Sequence, residues 1–212
     1  KDNPDHPWDY DYVSINLSLT VENVKNEIEK VWVWSHLSSN TSVIKNWDMY
    51  IQNIGLPWDI GRILSNPNID PSVALSKNPE IFDNNDRDIW ERLSWNINLT
   101  WDNVNENIDK CWNWDALSEN GNVITSFKMM CELAKKYPIC METYSQNPSL
   151  CWEDVYNNIM IDWDMEGLSS NESVITFGII IQHRGFRKDK EWDWYFLSLN
   201  KKVSTEKNFF DN

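Results

Sequence analysis

Apolar residues in this chain come in short bursts that recur. A burst opens on Trp-x-Trp or a relative of it and runs to Leu-Ser-x-Asn. A second stretch follows in which apolar residues are spaced for one face of a helix, as at Val21, Val24 and Ile28 and again at Trp101, Val104 and Ile108. Polar residues and turn formers separate the bursts. No period-two alternation suggests strands, and the pattern predicts pairs of short helices throughout.

The recurrence is an internal repeat. Residues 13–44 and 93–124, offset by 80, are identical at 15 of 32 positions without a gap. A smaller unit lies inside that block. It starts near Trp8, Trp32, Trp58, Asp88, Trp112, Ile139, Trp163 and Trp192, at spacings of 24, 26, 30, 24, 27, 24 and 29 residues. Eight units result, the last cut short. One position is Asn in all eight: Asn16, Asn40, Asn66, Asn96, Asn120, Asn147, Asn171 and Asn200. Ser precedes it by two residues in every unit except the third, which has Leu64.

Each unit has room for two short helices. In the first unit Asp9 is an N-cap, with Trp8 and Val13 placed as a hydrophobic staple around it. The same arithmetic pairs Trp112 with Leu117, Trp163 with Leu168 and Trp192 with Leu197. The recurring Asn then ends the helix. It can do so by taking the left-handed conformation, or it can form a side-chain ladder that bridges neighbouring units. Thr20, Thr100 and Asp70-Pro71 open second helices. Lys30 and Lys110 are expected to close two of them on the favoured side of the dipole, and Pro57 and Pro138 mark the return to the next unit. A two-helix unit this small buries its apolar face only by stacking on neighbours. The expected fold is therefore an all-α solenoid of about eight two-helix repeats, read as one array over residues 1–212. The connections 76–87 and 183–190 are its irregular joins, the first read as a surface loop.

The segments PWDY, VSINLSLT, LPWDIGRILSNPNID and EWDWYFLSLN resemble the Trp/Asn-rich repeats of giant DNA virus proteins of the mimivirus-like and marseillevirus-like kind, in which units read roughly PW-D/N-W-x-x-L-S-x-N-P-x-I-T. The resemblance covers nearly the whole chain and is specific for the repeat. The chain departs from that pattern at Ile60, Ile139 and Met141. The 27 Asn residues fit an AT-rich coding genome. The resemblance implies a viral protein, either a virion or virus-factory component or an adaptor that grips a host protein.

Composition narrows the function. With 19 basic against 33 acidic residues the formal net charge is −14, which opposes phosphate-backbone binding. No apolar run reaches membrane-spanning length, and no secretory signal pattern opens the chain. Cys111, Cys131, Cys140 and Cys151 form no metal or redox spacing and are expected as buried thiols in a reducing compartment. His6, His36 and His183 lie in different units and make no metal set. The acids Asp9 with Asp11, and Asp162, Asp164 and Glu166, are expected as caps and exposed helix residues, although paired carboxylates can also serve glycoside hydrolysis. The sequons at Asn16, Asn40, Asn98 and Asn171 are read as incidental to the repeat.

Fourteen Trp invite stacking on sugars or bases. Ten occupy the Trp-x-Trp slots, and Trp101 and Trp152 open second helices, so packing accounts for twelve and leaves Trp47 and Trp95. Arg184, Arg187, Lys188 and Lys190 form the one basic stretch, read as a solvated loop. No nucleophile–base pair or cofactor motif is present. The expectation is a non-enzymatic protein-interaction scaffold that uses no catalytic, metal or cofactor residue. It binds viral or host protein, not nucleic acid, and acts inside the cell or in the virion. A repeat-type RNA reader or a glycan-binding module is the alternative.

Overall fold

A computed structural model of the chain describes residues 7–82, 86–183 and 190–205. The described residues form no strand and carry sixteen α-helices of four to seven residues, with one 3₁₀ turn. The first four repeats hold α1 (Tyr10–Ser14) and α2 (Val21–Asn26), α3 (Trp34–Ser39) and α4 (Trp47–Gln52), α5 (Ile60–Leu64) and α6 (Pro71–Lys77), α7 (Arg87–Leu93) and α8 (Trp101–Glu106). The last four hold α9 (Trp114–Glu119) and α10 (Phe127–Leu133), α11 (Met141–Tyr144) and α12 (Trp152–Asn157), α13 (Met165–Ser170) and α14 (Phe177–Gln182), α15 (Trp194–Leu199) and α16 (Lys201–Ser204). The chain divides into two compact units, Lys1–Trp112 and Asn113–Asn212. In the first, α1, α3, α5 and α7 pack in sequence. In the second, α9, α11, α13 and α15 do the same. The fold is all-α and of the repeat-solenoid type, short helix upon short helix.

Local chemistry sets the helix starts. The side chains of Asp9, Asp59, Asn113, Asp164 and Asp193 accept N–H bonds from the first turns of α1, α5, α9, α13 and α15. Thr20 and Thr100 cap α2 and α8, and each makes a reciprocal capping box, with Asn23 and Asn103. Asp70 caps α6 with Pro71 in its first position. Two expectations shift. α2 ends at Asn26 and α8 at Glu106, so Lys30 and Lys110 lie in the turn beyond rather than in the last helical turn. Ile28 and Ile108 fall in those turns as well, and Ile28 is exposed.

The recurring Asn does not adopt the left-handed conformation. Asn40, Asn120, Asn171 and Asn200 have φ between −83° and −68° and ψ between 105° and 113°, which is extended backbone. The ladder is what they build. Each Asn Oδ1 accepts the N–H two residues on, as Asn40 does from Ser42 at 2.9 Å and Asn171 from Ser173 at 2.9 Å. Each printed Nδ2 bond reaches back one repeat. Asn40 donates to the carbonyls of Ser14 and Asn16, Asn66 to Ser38, and Asn96 to Leu64. In the second unit Asn147 donates to Ser118, Asn171 to Ser145 and Asn147, and Asn200 to Ser169. A buried amide with both ends satisfied ties consecutive repeats together at little desolvation cost.

The recurring Ser supplies a second rung. Its Oγ accepts the N–H of the residue that caps the next repeat's first helix: Ser14 from Val33, Ser38 from Asp59, Ser145 from Asp164 and Ser169 from Asp193, at 3.0–3.1 Å. The leading Trp of each motif supplies a third. Its indole N–H donates to the C-cap carbonyl of the preceding second helix, as in Trp32 to Glu27, Trp58 to Asn53, Trp112 to Asn107, Trp163 to Asn158 and Trp192 to His183, at 2.8–3.0 Å. A helix end otherwise left with bare carbonyls is closed by the side chain that starts the next unit.

Candidate functional site

The first unit contains the largest concavity, an open cleft of about 720 Å³ between α6 and α8. It lies where the third and fourth repeats are joined by the longest connection. That connection carries a 3₁₀ turn at Pro79–Ile81 before the chain resumes at Asp86, and residues 83–85 are outside the described residues. The fourth repeat is irregular as well. Asp88 stands in its first Trp slot, and its first helix begins at Arg87, capped by Asp86.

An aromatic chain runs under the cleft. Tyr50 and Trp47 have ring centroids 4.9 Å apart, Trp47 and Phe82 6.2 Å, Phe82 and Trp90 5.7 Å, and Trp90 and Trp112 4.9 Å. Trp47, for which the sequence suggested no packing role, is a core residue whose indole N–H bonds Asn78 Oδ1 at 2.9 Å. Trp90 differs from its buried neighbours. It is 1% exposed, forms part of the cleft wall, and its Nε1–H has no acceptor. An orphaned buried donor calls for an acceptor from outside the chain, a water or a ligand oxygen.

The cleft walls are polar. Asn103 on α8 donates to Ser72 Oγ on α6 at 3.0 Å and accepts from Thr100 in the capping box. Asp102 and Glu106, one turn apart on α8, line the same space, and Lys110 places its Nζ 5.7 Å from the Trp90 ring centroid. The Ser72 hydroxyl is engaged by an amide rather than a base, and neither His nor Cys lines the cleft. The arrangement can hold a polar segment by hydrogen bonds and attract a cation to its carboxylates.

The other candidates are scattered. Asp9 and Asp164 are caps, and Asp162 pairs with Lys190. The remaining basic positions Arg184, Arg187 and Lys188, with His6, lie outside the described residues. His183 sits among aromatic rings, its centroid 5.0 Å from Trp152 and 5.4 Å from Tyr156. Among the described residues no group of His, Cys, Asp and Glu is placed to hold a metal ion. The thiols are free but not buried as expected: Cys111 and Cys151 are exposed, and Cys131 and Cys140 are intermediate. The Cys151 Sγ donates to Asp154 Oδ2 at 3.0 Å, which pushes its titration up, and burial does the same for Cys131. Neither is an activated thiolate. The sequon residues Asn40 and Asn171 are buried with their amides committed to the ladder. Trp95 is exposed, and so are Trp8 and Trp194, which occupy Trp-x-Trp slots. No described helix is long and apolar enough to cross a membrane.

The cleft itself escaped sequence reasoning. The available signal was the irregular fourth repeat, with its long approach and its missing first Trp. Comparison of the chain with protein-family models, curated proteins and solved structures finds no match.

Proposed function

We propose that this protein is a non-enzymatic protein–protein interaction scaffold. The observation that carries the reading is where the recurring residues go. The Asn, Ser and leading Trp positions are spent on joining one repeat to the next, and the non-recurring side chains face outward and line the α6–α8 cleft. An outer surface free to vary on a fixed frame is what repeat proteins use to recognise partners. Asp102, Glu106 and the Trp90 donor suit an extended peptide that brings a basic side chain and a backbone carbonyl. The net charge of −14 favours a basic protein partner over nucleic acid.

The resemblance to giant-virus repeats supports a virion-associated role, with a host-directed adaptor as the alternative. Four free thiols fit a reducing compartment. The test is affinity capture of the tagged chain from infected cells after nuclease treatment, beside purified particles and beside a chain carrying Asp102→Asn and Glu106→Gln. Recovery of structural virion proteins in fixed ratio, reduced by the double substitution, supports the particle role. A dominant host protein with particles lacking the chain supports the adaptor. Recovery of no protein above an untagged control removes the scaffold reading.

A further inference from the structure

The first and last described repeats carry the two unfilled halves of one interface. At every internal joint within the units the later repeat offers a leading aromatic or aliphatic residue, two apolar side chains and the Asn amide, and the earlier repeat covers them. The apolar side chains lie three residues before and three after the recurring Asn. They are buried at Leu37 and Val43, Ile63 and Ile69, Leu93 and Leu99, Leu168 and Val174, and Leu197 and Val203. In the first repeat the same positions, Val13 and Leu19, are only half-buried, and Asn16 is exposed. The Asn16 Oδ1 accepts from Ser18, but its Nδ2 makes no hydrogen bond with any described residue. A shallow hollow of about 260 Å³ lies over this face, between Trp8, Val13, Leu19 and Trp32.

The complementary half is at the other end. The recurring Ser is fully buried at Ser14, Ser38, Ser94, Ser118, Ser145 and Ser169, and exposed at Ser198. Two of the ring contacts between repeats join the first helical residue of one repeat to the leading Trp of the next. Tyr10 meets Trp32 edge-on at 5.0 Å, and Trp34 meets Trp58 edge-on at 5.2 Å. Trp194 occupies that first helical position in the last repeat and is 63% exposed.

We infer that the chain associates head to tail with a second copy of itself. The last repeat of one copy takes the place before the first repeat of the next. Asn16 Nδ2 donates to the partner copy's Ser198 carbonyl, the Asp9 N–H meets the Ser198 hydroxyl, and Trp194 packs on Trp8. The occupant is a second copy because each missing contact has its counterpart on the same chain, in the chemistry that already joins consecutive repeats. Such an interface is heterologous, using two different patches, so each variant defect should be confined to one side.

The test is mass in solution against concentration, by sedimentation or light scattering, for the intact chain and two exposed-site variants. Asn16→Asp keeps the local turn acceptor and removes the donor. Trp194→Ala removes the ring at the opposite end. The expected result is a wild-type mass that rises with concentration, single-chain mass for each variant alone with unchanged helical circular dichroism, and a two-chain species that goes no further when the variants are mixed. A wild-type chain that stays single at all concentrations overturns the inference. So does association of either variant at wild-type strength, or a mixture that stays single while wild type associates.

Discussion

Asn96 donates its side-chain amide to the backbone carbonyl of Leu64, 32 residues earlier, at 2.6 Å. Leu64 is the one position where the recurring Ser is missing, and the bond survives because the ladder uses the carbonyl and not the side chain. What is lost there is the Ser hydroxyl that receives the next repeat's capping N–H. At that joint the next helix starts early, from Asp86, and the cleft opens. One substitution thus separates the two jobs of the Ser position.

The ladder predicts a large cost for removing a buried amide. Asn96 also donates to the Ile69 carbonyl and accepts from Asn98 N–H. Asn96→Ala strands these groups in a buried site and should cost about 2–4 kcal/mol, several net bonds plus the desolvation of orphaned partners. Asn16→Ala, at the exposed end of the ladder, should cost about 1 kcal/mol or less. Urea unfolding of both variants measures the difference. Equal losses would mean the Asn acts only as a local helix stop.

The indole bond can be separated from the packing of its ring. Trp163 is fully buried and donates to the Asn158 carbonyl at the end of α12. Trp163→Ala should cost about 3–5 kcal/mol from the cavity it leaves. Trp163→Phe keeps much of the ring and loses the N–H, so about 1 kcal/mol is expected from the hydrogen bond itself. Trp95→Ala, at a half-exposed ring, should stay within about 0.5 kcal/mol of wild type. The ordering of the three urea midpoints is the check.

What could be read from the sequence was what depends on neighbours in the chain. Caps such as Asp9, Thr20, Thr100 and Asp164 obey rules that span three residues, and the structure has them in place. The Asn turn half obeyed such a rule. Its Oδ1 bond is local, but its conformation follows from an amide that must reach a carbonyl 24–32 residues back. Trp47 had no readable role because its partner Asn78 lies 31 residues away across a join. The orphaned Trp90 donor is a missing relationship rather than a motif, and no local pattern announces one. Lys30 and Lys110 missed the last helical turn because the helices stop after six residues, earlier than the apolar spacing suggested.

Two glycines should respond oppositely to Ala. A Cβ on Gly167 would stand 2.8 Å from Asp164 Oδ2, 2.9 Å from Gln146 Cγ and 3.0 Å from Ser145 Cβ, where α13 meets the preceding repeat. Gly167→Ala should therefore destabilise by about 1–3 kcal/mol through overpacking. Gly55 has nothing within 4 Å of a Cβ, and its φ lies outside the left-handed region. Gly55→Ala should leave stability unchanged or raise it by up to about 1 kcal/mol, by narrowing the unfolded ensemble. Thermal unfolding of the pair tests both signs at once.

Glu119 gives a pH-dependent prediction. It is the last residue of α9, one turn beyond Asp115, and burial followed by repulsion from Asp115 raises its pKa above the ordinary 4.5. The folded chain then holds the Glu119 proton more tightly than the unfolded chain does. Its contribution to stability is present below 4.5 and is lost as the pH rises through the raised folded value. At neutral pH the ionised carboxylate is a liability, set against Asp115 and at the negative end of a helix dipole. Glu119→Gln should therefore stabilise the protein at neutral pH by up to about 0.5 kcal/mol, the scale of an i,i+4 like-charge pair, and less at high salt. Below 4.5 the variant and wild type should converge, because both side chains are then neutral. Urea midpoints for the two chains at neutral and acid pH decide it. A stabilisation that grows as the pH falls would contradict the assigned direction.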